Sequence, residues 1–360
     1  MRFPTLVPAL LLGGALAQYQ QVGNYSGPSF FDHFKFFSEP DPTSGFVKYV
    51  DEDIANSTGL AGFVATEEYG NLAYLGADYS SVAQDGRNST RIESLESFNS
   101  STLWITDIRH HPGNTCGAWS AFWLVGPNWP TGGEIDLLEN INLATTNKYV
   151  LHNGGNLVVS NFSDPAVANS ANMTLRGHFS NLNCSAAAEG NVGCVVDGQN
   201  GTFGKNFNDN GGGIIALEYV PQAIKVWQFN RTEIPGDIFN GTPAPLSWRT
   251  PDAHFMSDDD QDLDQYFNSL RMVFNTDICG SWIDPAWNTS ECAHLAPTCN
   301  QYAAQNPDAF KDAYWLIGGV QVYRSAALGM NSTMLPPYSA LNTTAGMKPR
   351  EHIRRTRPRF

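Results

Sequence analysis

Ten short apolar or alternating runs, each closed off by Gly, Asn, Asp, Ser or Pro nearby, limit what this chain can fold into. They are FVKYV, RIESL, TLWITDI, AFWLV, YVLHN, NLVVS, GIIALEYV, AIKVWQF, LRMVFN and VQVYR. Val, Ile, Phe, Trp and Tyr dominate them, side chains whose branching and bulk suit a pleated surface. Sustained helical periodicity is scarce, and PDAFKDAYWLI at 307–317 is the best candidate for a helical turn. Many short strands separated by turn residues predict an antiparallel sandwich or barrel and argue against an α/β fold. No internal repeat or Ser/Thr/Pro-rich linker divides the body. Since all-β sandwiches run beyond about 200 residues as one unit, residues 18–325 are read as a single domain.

The two ends differ from this body. MRFPTLVPALLLGGALAQYQ carries a positive charge at Arg2, an apolar run from Leu6 to Leu16 and the small-x-small signature Ala15-Leu16-Ala17. That pattern predicts a signal peptide over 1–17 and secretion; the run is shorter than the about 20 residues a spanning helix needs. N-x-S/T sequons at Asn24, Asn56, Asn88, Asn161, Asn172, Asn230, Asn240, Asn288 and Asn331 agree with a secretory route. So does an even set of cysteines at 116, 184, 194, 279, 292 and 299, read as disulfides because zinc-ribbon C-x2-C spacing is absent. Sequence does not choose among their fifteen connectivities. From residue 326 the chain turns Ser/Thr/Asn/Pro-rich and ends MKPREHIRRTRPRF, which reads as a disordered basic tail over 326–360. No hydrophobic run follows it, so a lipid anchor is not indicated.

Only 16% of residues are charged, 12% are aromatic, and the net charge is −14. An acidic chain is a poor partner for nucleic acid or for an anionic membrane surface. There is no G-x-S-x-G elbow, H-E-x-x-H pair or Walker loop, and neither a cofactor nor a metal is expected. His110 and His111 are adjacent, point apart on a strand, and read as structural or surface residues.

The chemistry concentrates in GGEIDLLEN, residues 132–140. Glu134 and Asp136 share one face of a strand, with Ile135 and Leu137 on the other. Unbroken pleating would turn Glu139 into the core beside apolar groups, where an unpaired carboxylate is expensive. One extra residue at Leu137-Leu138, a β-bulge, returns Glu139 to the face of Glu134 and Asp136. Two such carboxyls can hydrolyse a glycosidic bond with retention, one attacking the anomeric carbon and the other protonating the leaving oxygen. Asp136 between them would favour keeping a neighbour protonated. The competing readings are a solvated acidic strand or a calcium site, but the segment is too apolar between its acids for a calcium loop. Aromatic platforms with a few polar groups suit pyranose rings. Trp119, Trp123, Trp129, His152 and Trp282 lie close in sequence to the acids or in the CGSW block. Alternation in AFW pairs Ala121 with Trp123 and leaves open whether Trp119 and Trp123 both line the site.

G-E-I-D-x-x-E, preceded by CGAWSAFWLVGPNWPTG, resembles the laminarinase-like branch of glycoside hydrolase family 16, particularly its secreted fungal members. FFDHFKFFSEPDPTSGFVKYVD, FGKNFNDNGGGIIALEY, VWQFNRTEIPGDI, CGSW and YWLIGGVQVY follow in family order. The resemblance implies an antiparallel β-jelly-roll sandwich, concanavalin A-like, with an open cleft on its concave face. It implies a monomeric endo-hydrolase of β-1,3 or mixed β-1,3/1,4 glucan that retains configuration. Glu134 matches the nucleophile, Glu139 the acid/base and Asp136 the supporting carboxylate; Trp119, Trp123, His152 and Trp282 are the expected substrate contacts.

Some positions depart from that family. Ser120 stands where W-P-A-F-W has proline, and NSSTLWI replaces Y-x-x-G-L. VLHNGGN and the acidic loop SDDDQDLDQYF both lack a cysteine. These departures bear on linkage preference, not on the reaction. Two alternatives stand beside hydrolysis: a non-catalytic glucan-binding protein, against which all three acids count, and a cell-wall transglycosylase. Relatives of the latter type resemble the unbulged E-x-D-x-E form, so the extra Leu counts against it.

Overall fold

The computed structural model describes residues 19–171 and 174–325; the expected signal peptide and basic tail lie outside the described residues. The strands of the first half are β1 (Tyr19–Ser26), β2 (Phe34–Phe36), β3 (Val47–Tyr49), β4 (Ala61–Thr66), β5 (Gly70–Gly76), β6 (Arg87–Ser89), β7 (Arg91–Ser94) and β8 (Thr102–His110). Those around the acids are β9 (Ala118–Val125), β10 (Glu134–Ile141), β11 (Thr146–His152), β12 (His178–Asn181) and β13 (Cys194–Asn200). Then come β14 (Gly213–Val220), β15 (Ala223–Asn230), β16 (Ala253–Phe255), β17 (Arg271–Ile278) and β18 (Tyr314–Ser325). They form two open antiparallel sheets, in the order β16-β15-β14-β8-β18-β5-β4 with β1 also on β18, and β12-β13-β11-β10-β9-β17-β7-β2. A small parallel pair, β3-β6, stands apart from both. The fold is the jelly-roll sandwich that the strand pattern and the family resemblance predict.

Alternation explains the core. Trp104, Ile108, Ile215, Leu217, Val226, Trp315 and Val320 of the first sheet meet Phe122, Leu124, Ile135, Leu151, Met272 and Phe274 of the second, all buried in one cluster. Burying each large apolar side chain contributes about 1.5–3 kcal/mol, so a strand slipped by one residue would lose this whole face.

Two sequence expectations need correction. NLVVS is not a strand: Val158 and Val159 make only isolated bridges, to Asn183 and Ser257. Its Leu157 and Val159 are buried in the core, so the run is apolar for packing and not for ladder pairing. In 307–317 only Pro307–Phe310 is helical, as a short 3-10 turn, and Tyr314 onward belongs to β18. There, pairing with β5 and β8 overrides local propensity. The histidine pair is structural: His110 stacks on Tyr314 at 3.9 Å, and His111 is buried against Phe203 and Phe207.

The cysteines pair as Cys116–Cys292, Cys184–Cys194 and Cys279–Cys299. The first ties the segment after β17 to the start of β9, and the third closes that segment on itself around the helix Gly280–Ala286. A second core of Ile283, Trp287, Phe310 and the four cysteines gathers there, with Trp119 packed on its border.

Candidate active site

β10 carries the three acids, and its register decides where they point. Against β9, Asp136 is opposite Trp123 while Leu138 is opposite Phe122; against β11, Asp136 faces Val150 while Glu139 faces Lys148. Relative to both neighbours β10 therefore holds one extra residue at Leu137-Leu138. Both leucines are fully buried in the core. Glu139 is thereby returned to the face of Glu134 and Asp136, which points away from the inter-sheet core. Gly133 precedes the strand with φ +78, and a Cβ there would lie 2.4 Å from the Tyr266 carbonyl oxygen, so only glycine suits the turn into Glu134.

The acids are crowded and largely withdrawn from water. A carboxylate oxygen of Glu134, one of Asp136 and a ring nitrogen of His152 lie within 4.8 Å of one another. Burial, reinforced by the Glu139 charge, pushes the Glu134 carboxyl up, while a Trp129 hydrogen bond and Arg91 oppose the shift. Burial raises Asp136 well above the usual carboxylate range, with both glutamates adding to it. Its Oδ2 is buried without a hydrogen-bond partner. Burial also raises Glu139, opposed by the Trp119 indole and by Lys148 across the ladder. Protons are thus retained in the set at pH values where free carboxylates are ionised. The three groups Glu134, Asp136 and His152 have the donor atoms to hold a cation.

The expected substrate contacts are brought to this face. Cross-strand register puts Trp119, Ala121 and Trp123 of β9 beside Ile141, Glu139 and Asp136, so both tryptophans line it. The Trp119 Nε1–H donates to Glu139 Oε1 at 2.7 Å, and its ring meets Trp282 edge-on at 5.4 Å. The Trp123 Nε1–H donates to Asn275 Oδ1 at 2.8 Å. His152 is opposite Glu134 in the β10–β11 ladder. Burial pushes its ring down to about 4, so it is neutral; Nδ1 meets Asn191 Oδ1 at 3.1 Å and Nε2 lies 3.8 Å from Asp136 Oδ2.

Other residues at the site were not singled out from sequence. Arg91 stacks over the Trp123 ring at 5.1 Å and pairs with Glu93. Asn275 links Trp123 to the Tyr49 hydroxyl. Trp129, by contrast, was among the aromatics named from sequence, and it reaches Glu134 from the 126–133 loop. The available signal was phase: Arg91, Asn275 and Trp123 fall on one face once β7, β17 and β9 are aligned. That alignment is not written in any one segment.

Residues 34–323 match the family model described as the XgeA-like catalytic GH16 domain. The chain belongs to glycoside hydrolase family 16. Among curated relatives in this family, the endo-1,3(4)-β-glucanase xgeA of Emericella nidulans is 38% identical over 318 residues, covering 86% of this chain and 48% of the relative. A probable endo-1,3(4)-β-glucanase of Aspergillus flavus is 38% identical over 329 residues, covering 89% and 47%. The chain thus spans about half the length of these relatives. Among solved family 16 structures, an elongating β-1,3-glucosyltransferase is 35% identical with a TM-score of 0.77, covering 85% of this chain and 99% of that one. Laminarinase 16A of Phanerochaete chrysosporium, solved with β-glucans in donor and acceptor sites, is 34% identical with a TM-score of 0.75 and the same coverage.

Proposed function

We propose that this chain is a secreted, endo-acting glycoside hydrolase that cleaves β-1,3 or mixed β-1,3/1,4 glucan with retention of configuration. The observation that carries the reading is the bulge in β10, which turns Glu139 to the same face as Glu134 and Asp136. In this reading Glu134 attacks the anomeric carbon and forms a covalent glycosyl-enzyme. Protonated Glu139 gives its proton to the leaving oxygen, then takes one from the water that releases the sugar. Asp136, held protonated by burial beside Glu134, can share its proton with the nucleophile as charge on Glu134 builds and falls. Trp119, Trp123 and Trp282 offer ring faces and edges to pyranose units. The names of the curated relatives support the glucan substrate. Secretion is supported by the N-terminal sequence, the three disulfides, and the exposed sequon residues Asn56, Asn230, Asn240 and Asn288. Among the described residues no helix is long and apolar enough to cross a membrane.

A second reading is favoured by the 35% identical glucosyltransferase: the same covalent intermediate passes to a sugar hydroxyl instead of water. Product analysis on laminarin, lichenan and carboxymethylcellulose, with and without labelled acceptor oligosaccharide, separates the two. Hydrolysis gives shorter oligosaccharides and little label in longer chains; transfer puts the label into elongated products. Glu134→Gln and Glu139→Gln are each expected to abolish turnover of these polymers while binding persists, and undiminished turnover in either variant refutes the assignment. Retention on insoluble glucan with no product from any polymer would point instead to a binding protein.

A further inference from the structure

An extra residue in a strand solves one problem and creates another. It re-aims Glu139, but it also breaks the β10–β11 ladder between Asp136 and Glu139. A buried backbone N–H or C=O left unpaired is costly, so the bulge persists only if something else bonds the freed groups. Asn147 does this. Its Nδ2–H donates to the Leu137 carbonyl at 2.8 Å, and its Oδ1 accepts from the Glu139 backbone N–H at 2.8 Å. The orientation of the carboxamide is unambiguous, because a carbonyl only accepts and an amide N–H only donates.

Asn147 is fully buried and is itself held. It falls where the β11–β13 register also shifts, and its backbone N–H donates to Thr202 Oγ1 at 2.9 Å. Gln228, reaching across from β15 in the other sheet, donates to the Thr202 carbonyl and accepts from the Tyr149 hydroxyl at 2.9 Å and from Asn147 Nδ2 at 3.4 Å. A closed polar network in a low-dielectric interior is rigid when every member is satisfied. Without the bulge, Glu139 would sit on the core face with Leu138 outside, and the Asn147 carboxamide would lose both of its partners on β10. Its bonds therefore select the bulged strand over the flat one.

We propose that Asn147 is the positioning residue of this site: its carboxamide closes the bulge and so fixes the direction in which Glu139 delivers its proton. The inference rests on the reading of Glu139 as the acid/base. Fully buried, Asn147 acts on the outer face through the backbone on either side of Leu138.

The test uses the dependence of rate on the leaving group. Asn147→Ala is compared with the unsubstituted protein on laminarin, whose leaving sugar needs a proton, and on a dinitrophenyl β-laminaribioside, whose leaving phenolate does not. A well-placed general acid is worth about 10²–10⁴ in rate, so kcat/KM on laminarin is expected to fall at least about 100-fold. On the aryl glycoside the fall should stay below about 10-fold. Equal loss on both substrates would mean a merely structural role, and no loss on either would mean that the bulge holds without the carboxamide; both overturn the proposal. Should Asn147→Ala fail to fold, Asn147→Asp keeps the shape and the acceptor for Glu139 while removing the donor to Leu137. It is expected to show the same divergence in smaller degree, and a leaving-group ratio equal to that of the unsubstituted protein overturns the proposal. The unsubstituted protein is the control: if it releases nothing from any β-glucan, the acid/base reading itself has failed, which is a separate result.

Discussion

Trp119 donates its indole N–H to Glu139 Oε1 at 2.7 Å while its ring edge rests on Trp282. A residue expected from sequence to be a sugar platform thus also bears on the proton affinity of an acid. The bond stabilises the ionised carboxylate and holds the Glu139 pKa below where burial alone would put it. Trp119→Phe keeps a ring against Trp282 and removes the donor. The Glu139 pKa should then rise, and the alkaline limb of the kcat/KM profile on laminarin should move to higher pH, by about one unit at most. A limb that stays put or moves down would show that the bond does not govern this proton.

Glu139 acts in turn on Glu134. Burial and then the Glu139 charge raise the Glu134 carboxyl to about 8. Glu139→Gln removes the charge and keeps the shape, so the Glu134 pKa should fall. The variant should retain turnover of a dinitrophenyl β-laminaribioside, which needs an ionised nucleophile but no acid. The acid limb of its pH profile is expected about one unit lower than that of the unsubstituted protein, with the alkaline limb flattened. An unchanged acid limb would mean that the two carboxyls do not sense each other.

The same displacement has a thermodynamic consequence. The unfolded chain sheds the Glu134 proton near its ordinary value of about 4.3, whereas the folded chain keeps it up to about 8. Stability from this group is complete below the unfolded value and is lost as pH climbs through that window, at most about 1.4 kcal/mol per pH unit. Glu134→Gln has no such titration. Its Tm minus that of the unsubstituted protein should widen between pH 5 and pH 8, and a constant gap contradicts the shift.

The legible parts of this molecule were those written in a single segment. Period-2 runs named most strands around the site, and the misfit of Glu139 against strict alternation located the bulge before any register was known. NLVVS and the second half of 307–317 misled because long-range partners decided their state: two isolated bridges in one case, pairing with β5 and β8 in the other. Asn147 was invisible for a related reason. In TTNKYV it resembles any polar strand residue, and only the missing ladder bonds of β10 give it a task. Disulfide pairing likewise depended on which segments the sandwich brings together, which the spacing of six cysteines does not encode.

The two kinds of disulfide are expected to fail differently when removed. Cys116–Cys292 spans 176 residues and Cys184–Cys194 only 10. In the chain-entropy account, closing loops of these lengths contributes about 5 and about 3 kcal/mol. Cys116→Ser with Cys292→Ser should therefore lower Tm the more. The short loop, however, carries Asn191, which meets the His152 ring beside Asp136. Cys184→Ser with Cys194→Ser should cost several-fold in kcat/KM on laminarin at a temperature well below its own Tm, where the fold is intact by circular dichroism. Freed from its loop, Asn191 no longer fixes the imidazole, and the neutral ring loses the orientation that keeps Nε2 toward the central carboxyl. If kcat/KM is unchanged in that variant while Tm falls, the short disulfide serves stability alone and His152 is held by its strand.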